Sequence, residues 1–154
     1  MITEDERKEI EAAAARYPQR RAAAVEALQI IQKGRGWVPD EDLAEAAAIL
    51  GLTVDELDGL SSFYSLVFRK PVGRHVILVC DSISCWVGGS EKVLERLVSR
   101  LGVGPGGTDA EGRFTLIPVA CLGACDHAPA MLVDGDLHGD LTPEGIDAIL
   151  DGYK

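Results

Sequence analysis

Positive charge and long apolar segments are both scarce in this sequence, and each shortage excludes a class of function. The 154 residues include 15 lysines and arginines against 25 aspartates and glutamates, which gives a formal charge of -10. Phosphate backbones and anionic lipid surfaces repel a chain of this sign, so we expect no nucleic acid partner. No apolar run approaches the ~20 residues that span a bilayer, so we expect no direct insertion into a membrane.

Cysteine is also scarce, and the four that occur stand in two close pairs, Cys80 with Cys85 and Cys121 with Cys125. Residues 1–6 are acidic and polar, without the basic and apolar regions of an export signal, so we expect reduced thiols rather than structural disulfides. A chain of this length also buries enough apolar surface to fold without crosslinks. The two thiol pairs therefore predict a metal centre.

The first seventy residues have a helical pattern. Thr3 with Glu6, and Thr53 with Glu56, have the spacing of a capping box, so each threonine is predicted to begin a helix. Asp40, which follows a proline, is predicted to cap a third helix that ends near Gly51. The many alanines of this region favour helices that pack closely.

The apolar pattern changes from helical to extended near residues 71–73, which predicts a domain boundary. We therefore expect an N-terminal α-helical bundle over 1–72 and an α/β domain over 73–154. Within the second domain, residues 75–79 and 114–120 are continuous apolar runs, as expected of buried parallel strands. A cysteine follows each run directly.

The predicted order of strand, helix and strand explains how the two cysteine pairs meet. Ser90 is predicted to cap the helix between the strands, and a right-handed crossover makes the strands parallel. Both carboxyl ends then lie at one edge of the sheet, with neighbouring strands ~4.8 Å apart. A hairpin around Asp134 and Gly135 and a last helix from Thr142 complete the predicted domain.

Four thiolates suit either zinc or an iron-sulfur centre. The C-x4-C and C-x3-C spacings are wider than the C-x2-C of zinc knuckles, and Gly88, Gly89 and Gly123 allow backbone N–H groups to approach sulfur. Both observations favour a 2Fe-2S cluster, in which each iron takes two thiolates. A zinc-stapled module stays open as an alternative. A function as a thiol-disulfide oxidoreductase is disfavoured because neither pair has the C-x2-C spacing that thioredoxin-type chemistry favours.

Several other residues allow both a functional and a structural interpretation. Asp81 and Asp126 each follow a candidate ligand, where they either lower the reduction potential or cap loop backbone. His127 either donates a hydrogen bond near the centre or lies on the surface.

Residues 102–107 match G-x-G-x-x-G but follow a helix and precede a strand, so we expect no dinucleotide there. Three aromatic residues are candidates for either core packing or partner docking: Trp37, Phe63 and Tyr64.

Eight short segments have a distinctive sequence: 36–39, 62–65, 71–76, 80–82, 112–116, 121–126, 128–129 and 141–144. Together they make the chain similar to the thioredoxin-like 2Fe-2S subunit of bacterial NADH:quinone oxidoreductase, respiratory complex I. The resemblance extends from about Tyr17 to Tyr153. It implies a thioredoxin-like domain after the helical bundle.

The same resemblance implies that Cys80, Cys85, Cys121 and Cys125 bind one 2Fe-2S cluster. It implies a flavoprotein partner that binds FMN and NADH and passes single electrons to this chain. Other peripheral-arm subunits of complex I are further implied partners. The complex would place the chain on the cytoplasmic side of the inner membrane. The isolated chain is not expected to be catalytic. Small subunits of NAD-linked hydrogenases and formate dehydrogenases share the pattern and are the first alternative; a zinc-stapled structural module is the second.

Overall fold

A computed structural model describes residues 1–153. The chain divides into two compact units, Met1–Pro71 and a second that begins at Val72. The first unit is entirely helical, whereas the second combines a four-stranded sheet with helices. None of the helices in residues 1–153 has the length and apolar character needed to cross a bilayer.

The first unit contains four α-helices and a short 3-10 turn. The helices are α1 (Glu4–Ala15), α2 (Ala24–Arg35), α3 (Asp40–Leu50) and α4 (Val54–Phe63), and the 3-10 turn Arg20–Ala23 leads into α2. Small and branched aliphatic side chains form the core of this unit, all at most 3 % exposed: Ile10, Ala13, Ala14, Ala27, Leu28, Ile31, Leu43, Ala46, Ala47 and Leu57. Alanine at these positions lets the helix backbones approach closely.

Both predicted capping boxes are confirmed. The hydroxyl of Thr3 accepts a hydrogen bond from the N–H of Glu6, and the Glu6 carboxylate accepts one in return from the N–H of Thr3. Thr53 and Glu56 make the same pair of bonds at the start of α4. Each box satisfies two N–H groups that the helix itself leaves without a partner.

A buried ionic contact joins α1, α2 and α3. The Nε of Arg35 lies 2.7 Å from Oδ2 of Asp42, whose side chain is completely buried. The same guanidinium donates to the carboxylate of Glu6, with Nη2 at 2.9 Å from Oε2, and this bond, together with those from Thr3, lowers the pKa of Glu6 to about 2. Removing the cation would therefore leave a buried carboxylate without its Arg35 partner, which is far more costly than losing a surface ion pair.

We expect Arg35→Ala to lower the free energy of unfolding of the helical unit by about 3 kcal/mol, because the buried Asp42 carboxylate loses its guanidinium partner and keeps the N-terminal amine of Met1, 2.6 Å from Oδ1. The matched control is Arg21→Ala, since Arg21 and Glu56 form an ion pair that is about half exposed; we expect a loss of about 1 kcal/mol or less. Chemical denaturation followed by circular dichroism measures both.

The pH dependence gives a second check on the Arg35 variant. The pKa of Glu6 is below its ordinary value in the folded chain, so its contribution to stability is complete above pH 4.5 and is lost as the pH falls towards 2. The stability gap between wild type and Arg35→Ala should therefore narrow over this interval. A constant gap would show that Glu6 contributes nothing through Arg35.

The second unit begins with a strand-helix-helix-strand segment. Its elements are β1 (His75–Cys80), the short helix α5 (Ile83–Val87), α6 (Ser90–Leu101) and β2 (Phe114–Val119). The hairpin of β3 (Met131–Val133) and β4 (Asp136–His138) follows, and the unit ends with a 3-10 turn (Pro143–Gly145) and α7 (Ile146–Asp151). The last helix thus starts later than predicted, with one tighter turn before it.

The strand order in the sheet is β2-β1-β3-β4. The predicted parallel pairing is confirmed: His75 of β1 lies opposite Phe114 of β2, and Cys80 lies opposite Val119. β3 pairs with the other side of β1 in the antiparallel sense, and the hairpin turn lies at Asp134 and Gly135, as predicted. The carboxyl ends of β1 and β2 therefore lie side by side.

Two predicted helix caps were wrong. Asp40 is the first residue of α3, and the cap is Pro39. Oδ1 of Asp40 instead lies 2.6 Å from Nη2 of Arg69, with which it forms an ion pair. Ser90 is likewise the first residue of α6, and the cap is Gly89 in the left-handed conformation (φ 97°). Neither helix has a side-chain capping bond at its start.

The glycine-rich run at 102–107 covers the outer edge of β2. The N–H of Gly106 donates to the carbonyl of Leu116 at 2.7 Å, and the N–H of Leu116 donates to the carbonyl of Gly107 at 3.0 Å. The run follows α6 and precedes β2, so it does not occupy the strand-to-helix turn that a dinucleotide fingerprint requires. Its role in this fold is to pair with a strand that would otherwise have a free edge.

Candidate metal centre

The first candidate loop leaves the sheet directly from β1. The N–H of Cys80 donates to the carbonyl of Ala130 at 3.1 Å, and the N–H of Asp81 donates to the carbonyl of Val119 at 3.0 Å. The end of the strand is thus bonded on both sides, which limits the freedom of the Cys80 thiol. The chain then turns into α5, which carries Cys85 at its centre.

The second candidate loop follows β2. Cys121 lies in irregular backbone, Gly123 takes the left-handed conformation (φ 81°), and Cys125 begins a single 3-10 turn. The positive φ at Gly123 turns its N–H towards the preceding cysteine, and it donates to the Cys121 Sγ at 3.3 Å. Glycine is needed here because other residues rarely adopt this conformation.

The two loops pack against each other. Cys80, Cys85, Ala124 and Ala130 form one buried cluster that contains residues from both loops. Gly88, which ends α5, is so close to the second loop that a Cβ there would lie 3.2–3.3 Å from Pro129 and the carbonyl of Ala128. The close approach of the loops therefore depends on the absence of a side chain at position 88.

All four thiols are free and lie in this region, and they form two pairs. Cys80 and Cys85 are the inner pair, with 3 % and 2 % of their surface exposed. Cys121 and Cys125 are the outer pair; both are exposed, and their Sγ atoms are 3.4 Å apart.

The thiol pKa values follow these environments. Burial raises the pKa of Cys85, and its hydrogen bond with Cys80 raises it further. The N–H of Gly123 lowers the pKa of Cys121, and the adjacent Cys125 thiol lowers it too. The pKa of Cys125 is raised, chiefly by its bond with Cys121, while the hydroxyl of Ser84 opposes that shift. In the outer pair, the pKa of Cys121 is thus below and that of Cys125 above the ordinary value of a cysteine.

This donor set fits a 2Fe-2S cluster. Each iron of such a cluster takes two thiolates, and two thiolates bound ~2.3 Å from one tetrahedral metal lie roughly 3.8 Å apart. The outer sulfurs at 3.4 Å are close to that separation. Within the part of the chain that the structure describes, no group of three or more histidine, cysteine, aspartate or glutamate side chains forms a site for a single metal ion.

The three glycines singled out in the sequence have different roles. Gly123 donates its N–H to sulfur, as predicted. The prediction was wrong for Gly88 and Gly89, whose N–H groups donate to the carbonyls of Ser84 and Trp86 within α5. Ser84, which the sequence analysis missed, reaches from the first loop to the Cys125 thiol of the second. Its position directly before Cys85 was the only signal in the sequence.

The histidines bind carboxylates or a phenol rather than the thiols. Nδ1 of His127 lies 3.0 Å from Asp140 and its Nε2 lies 3.5 Å from Asp126, which agrees with the surface interpretation. The carboxylate of Asp140 raises the pKa of His127, and that of Asp126 adds to the effect. His75 pairs with Asp134. Nε2 of His138 lies 2.8 Å from the hydroxyl oxygen of Tyr153.

Exposed apolar side chains surround the first loop. On α5, Ile83 is 71 % exposed, Trp86 53 % and Val87 75 %. We call this set the α5 apolar face. Because the same five-residue helix carries Cys85, the face lies directly beside the thiols. Of the candidate anchors in the first unit, Phe63 is 80 % exposed and Tyr64 41 % exposed.

Comparison with known proteins agrees with this geometry. The family model of thioredoxin-like [2Fe-2S] ferredoxins matches residues 10–154. The E subunit of the NADH-quinone oxidoreductase of Pseudomonas aeruginosa is 48 % identical over 153 residues, which are 99 % of this chain and 92 % of that protein. The Escherichia coli K12 protein of the same name is 47 % identical over 149 residues, 97 % of this chain and 90 % of its own length.

A solved structure of an NAD+-reducing [NiFe]-hydrogenase in the air-oxidised state is also similar, with a TM-score of 0.74 and 27 % identity. The match includes 85 % of this chain but only 22 % of the hydrogenase chain. In that protein, the shared fold is therefore one part of a much longer polypeptide.

Ser84 and Asp126 are expected to shift the reduction potential of a bound cluster in opposite directions. Reduction adds negative charge, which the Ser84 hydroxyl stabilises at Cys125 and the Asp126 carboxylate opposes. Ser84→Ala should lower the midpoint potential and Asp126→Asn should raise it. A difference of about 1 kcal/mol between oxidation states corresponds to roughly 40 mV for one electron. Potentiometric titration followed by EPR measures both shifts.

The control for Ser84 is Ser82→Ala, because Ser82 precedes α5 and its side chain makes no capping bond. Its potential should stay at the wild-type value. Equal shifts in Ser82→Ala and Ser84→Ala would mean that the bond to Cys125 does not tune the centre. An unchanged or lowered potential in Asp126→Asn would likewise contradict the charge argument.

Proposed function

The chain belongs to the family of thioredoxin-like [2Fe-2S] ferredoxins, and from that membership we propose that it is the one-electron subunit of an NADH-oxidising module, taking electrons from FMN on a partner flavoprotein. The family carries one 2Fe-2S cluster, and the relatives in Pseudomonas aeruginosa and Escherichia coli are subunits of an oxidoreductase. The observation that carries the proposal is the arrangement of two thiol pairs on loops that leave the same edge of the sheet.

In this proposal, Cys80, Cys85, Cys121 and Cys125 hold the cluster as thiolates. When bound, such a cluster supplies chemistry that a two-electron hydride carrier lacks, the transfer of one electron at a time. The N–H of Gly123 and the hydroxyl of Ser84 donate to the outer sulfurs and offset part of their negative charge. The inner pair is shielded from water by its burial.

The α5 apolar face is the proposed contact for the flavoprotein. Aromatic side chains are enriched in protein interfaces, and a tryptophan within an apolar patch is a frequent anchor. Electron transfer requires the flavin to come close to the cluster, and Ile83, Trp86 and Val87 are exposed on the same helix as Cys85. A partner bound there would also remove the outer thiols from solvent.

We assign partner docking also to the helical unit, 1–72, and cluster binding to the α/β unit, 73–154. The partner, not this chain, binds FMN and NADH, and the isolated chain is not expected to oxidise NADH. Together with other peripheral-arm subunits, the chain would lie on the cytoplasmic side of the inner membrane. Exposed Phe63 and Tyr64 are candidate anchors of the helical unit.

The second candidate is the equivalent small module of an NAD-linked hydrogenase or formate dehydrogenase. The likeness to the NAD+-reducing hydrogenase favours it, since that protein contains the shared fold within a longer chain. The higher identity to the NADH-quinone oxidoreductase subunits favours the first candidate. Copurification of the partner subunits from the native host would distinguish these two assemblies.

We expect the anaerobically purified full chain to contain about two irons and two acid-labile sulfides, and to give an S = 1/2 EPR signal after reduction with dithionite. Replacing any one of Cys80, Cys85, Cys121 and Cys125 by alanine should remove most of the iron and sulfide. Ser84→Ala is the matched control, because the loss of a hydroxyl that only donates to a ligand should leave both at the wild-type level.

Zinc without sulfide in the purified chain would contradict the electron-carrier proposal and support the structural alternative. Full iron and sulfide in one of the four alanine variants would remove that cysteine from the ligand set. Either result is read from metal analysis alone, without any activity measurement.

We expect Trp86→Glu to weaken binding to the flavoprotein at least tenfold, because it places a charge in a contact that must lose its water. The iron content should stay unchanged. The control is Leu137→Glu on β4, since Leu137 is 51 % exposed, close to the 53 % of Trp86. Calorimetric titration with the flavoprotein subunit measures both. Equal losses for the two variants would place the contact elsewhere.

A further inference from the structure

We propose that, in the chain without its cluster, Cys121 and Cys125 close into a reversible disulfide while Cys80 and Cys85 remain thiols. The inference rests on the proposed function, since the same cysteines are ligands when the cluster is bound. It concerns the chain before cluster insertion and after cluster loss. Two observations support it: the short distance between the Sγ atoms of Cys121 and Cys125, and the exposure of these two side chains to solvent.

The outer sulfurs are already near bonding distance. Their separation of 3.4 Å exceeds an S–S bond of ~2.05 Å by about 1.4 Å. Cys121 lies in irregular backbone and Cys125 at the start of a single 3-10 turn, with Gly123 between them at φ 81°. A shift of the two side chains in this short loop would close the remaining gap without disturbing a strand or an α-helix.

Exposure separates the two pairs. Cys121 and Cys125 are both exposed, whereas Cys80 and Cys85 are 3 % and 2 % exposed. Cys80 is further fixed by strand bonds, and Cys85 by its place within α5. An oxidant in solution can therefore reach the outer pair, while the inner pair is shielded by the packed loops.

The chemistry needs a small disulfide, such as oxidised glutathione, as the oxidant. The Cys121 thiolate attacks one sulfur of that disulfide, forms a mixed disulfide and releases one thiol. The Cys125 thiolate then attacks Sγ of Cys121, forms the Cys121–Cys125 bond and releases the second thiol. Two protein thiols thus lose two electrons and two protons, and one small disulfide becomes two thiols.

The closed pair would have two effects on the chain. Cys121 and Cys125 could not act as ligands, so a cluster could enter only after reduction. The disulfide would also protect both sulfurs from oxidation beyond the sulfenic acid, a step that cannot ordinarily be reversed. Cluster insertion would therefore depend on the redox state of the surroundings, through the oxidation state of the outer pair.

The test starts from the full chain with its cluster, whose iron and sulfide are measured first. The cluster is then removed with a chelator under reducing conditions, the reductant is removed anaerobically, and oxidised glutathione is added to the folded chain. Alkylation and peptide mass analysis should show the loss of two alkylatable thiols per chain, both within one Cys121–Cys125 disulfide. Iron and sulfide should return only after treatment with dithiothreitol.

Two variants make the assignment specific. Cys125→Ser should stop at the mixed disulfide on Cys121, since the second attack has no thiolate. Each variant lacks one proposed ligand, so it is purified without the cluster and the oxidant is added to it directly; in Cys85→Ser the outer pair should close as in the wild type. When the outer pair has closed completely, Cys80 and Cys85 should both still be alkylatable thiols. Four alkylatable thiols, or a disulfide that includes Cys80 or Cys85, would overturn the proposal.

The first measurement separates this inference from the proposed function. Absence of iron and sulfide in the starting protein would reject the electron-carrier proposal before any oxidant is added. A chain that contains the cluster but keeps four thiols after oxidation would reject only the disulfide.

Discussion

The parallel pairing of β1 with β2 is the constraint on which the rest of this structure depends. It places Cys80 opposite Val119, so the loops that follow both strands start next to each other. A slip of one residue would turn Cys80 to the other face of the sheet, because side chains alternate along a strand. The buried contacts of Ile77 and Leu116 oppose such a slip. Core packing thus determines where a thiol lies at the edge of the sheet.

The site combines two environments that a single loop could not supply. The inner pair is held by strand bonds and the packing of α5, and burial disfavours the thiolate at Cys85 in the metal-free chain. Metal binding must therefore release protons, and this deprotonation reduces the net free energy of metal binding. The outer pair is open to water, and the N–H of Gly123 stabilises the thiolate at Cys121. In a chain of charge -10, such local donors matter because the overall field opposes further negative charge.

Much of the second unit could be predicted from the sequence, because continuous apolar runs identify buried strands and a helical crossover between them makes them parallel. The cysteine pairs then define a site. α5 could not be predicted, since five residues are too few to show a helical period. The bond from Ser84 to Cys125 joins residues far apart in sequence, and only the folded loops bring them together. The cap at Ser90 was wrong because serine at a helix start resembles a cap, whereas Gly89 makes the turn through its backbone.

The glycine-rich segment that pairs with β2 affects how the molecule behaves at high concentration. An unpaired strand edge is a template on which another chain can add a strand and begin to aggregate. The bonds of Gly106 and Gly107 to Leu116 occupy that template on one side of the sheet. On the other side the sheet ends in β4, only three residues long, with the acidic Asp136 at its start. Neither border offers a neighbouring copy a long row of free backbone groups, so the sheet is protected from growing into a fibre.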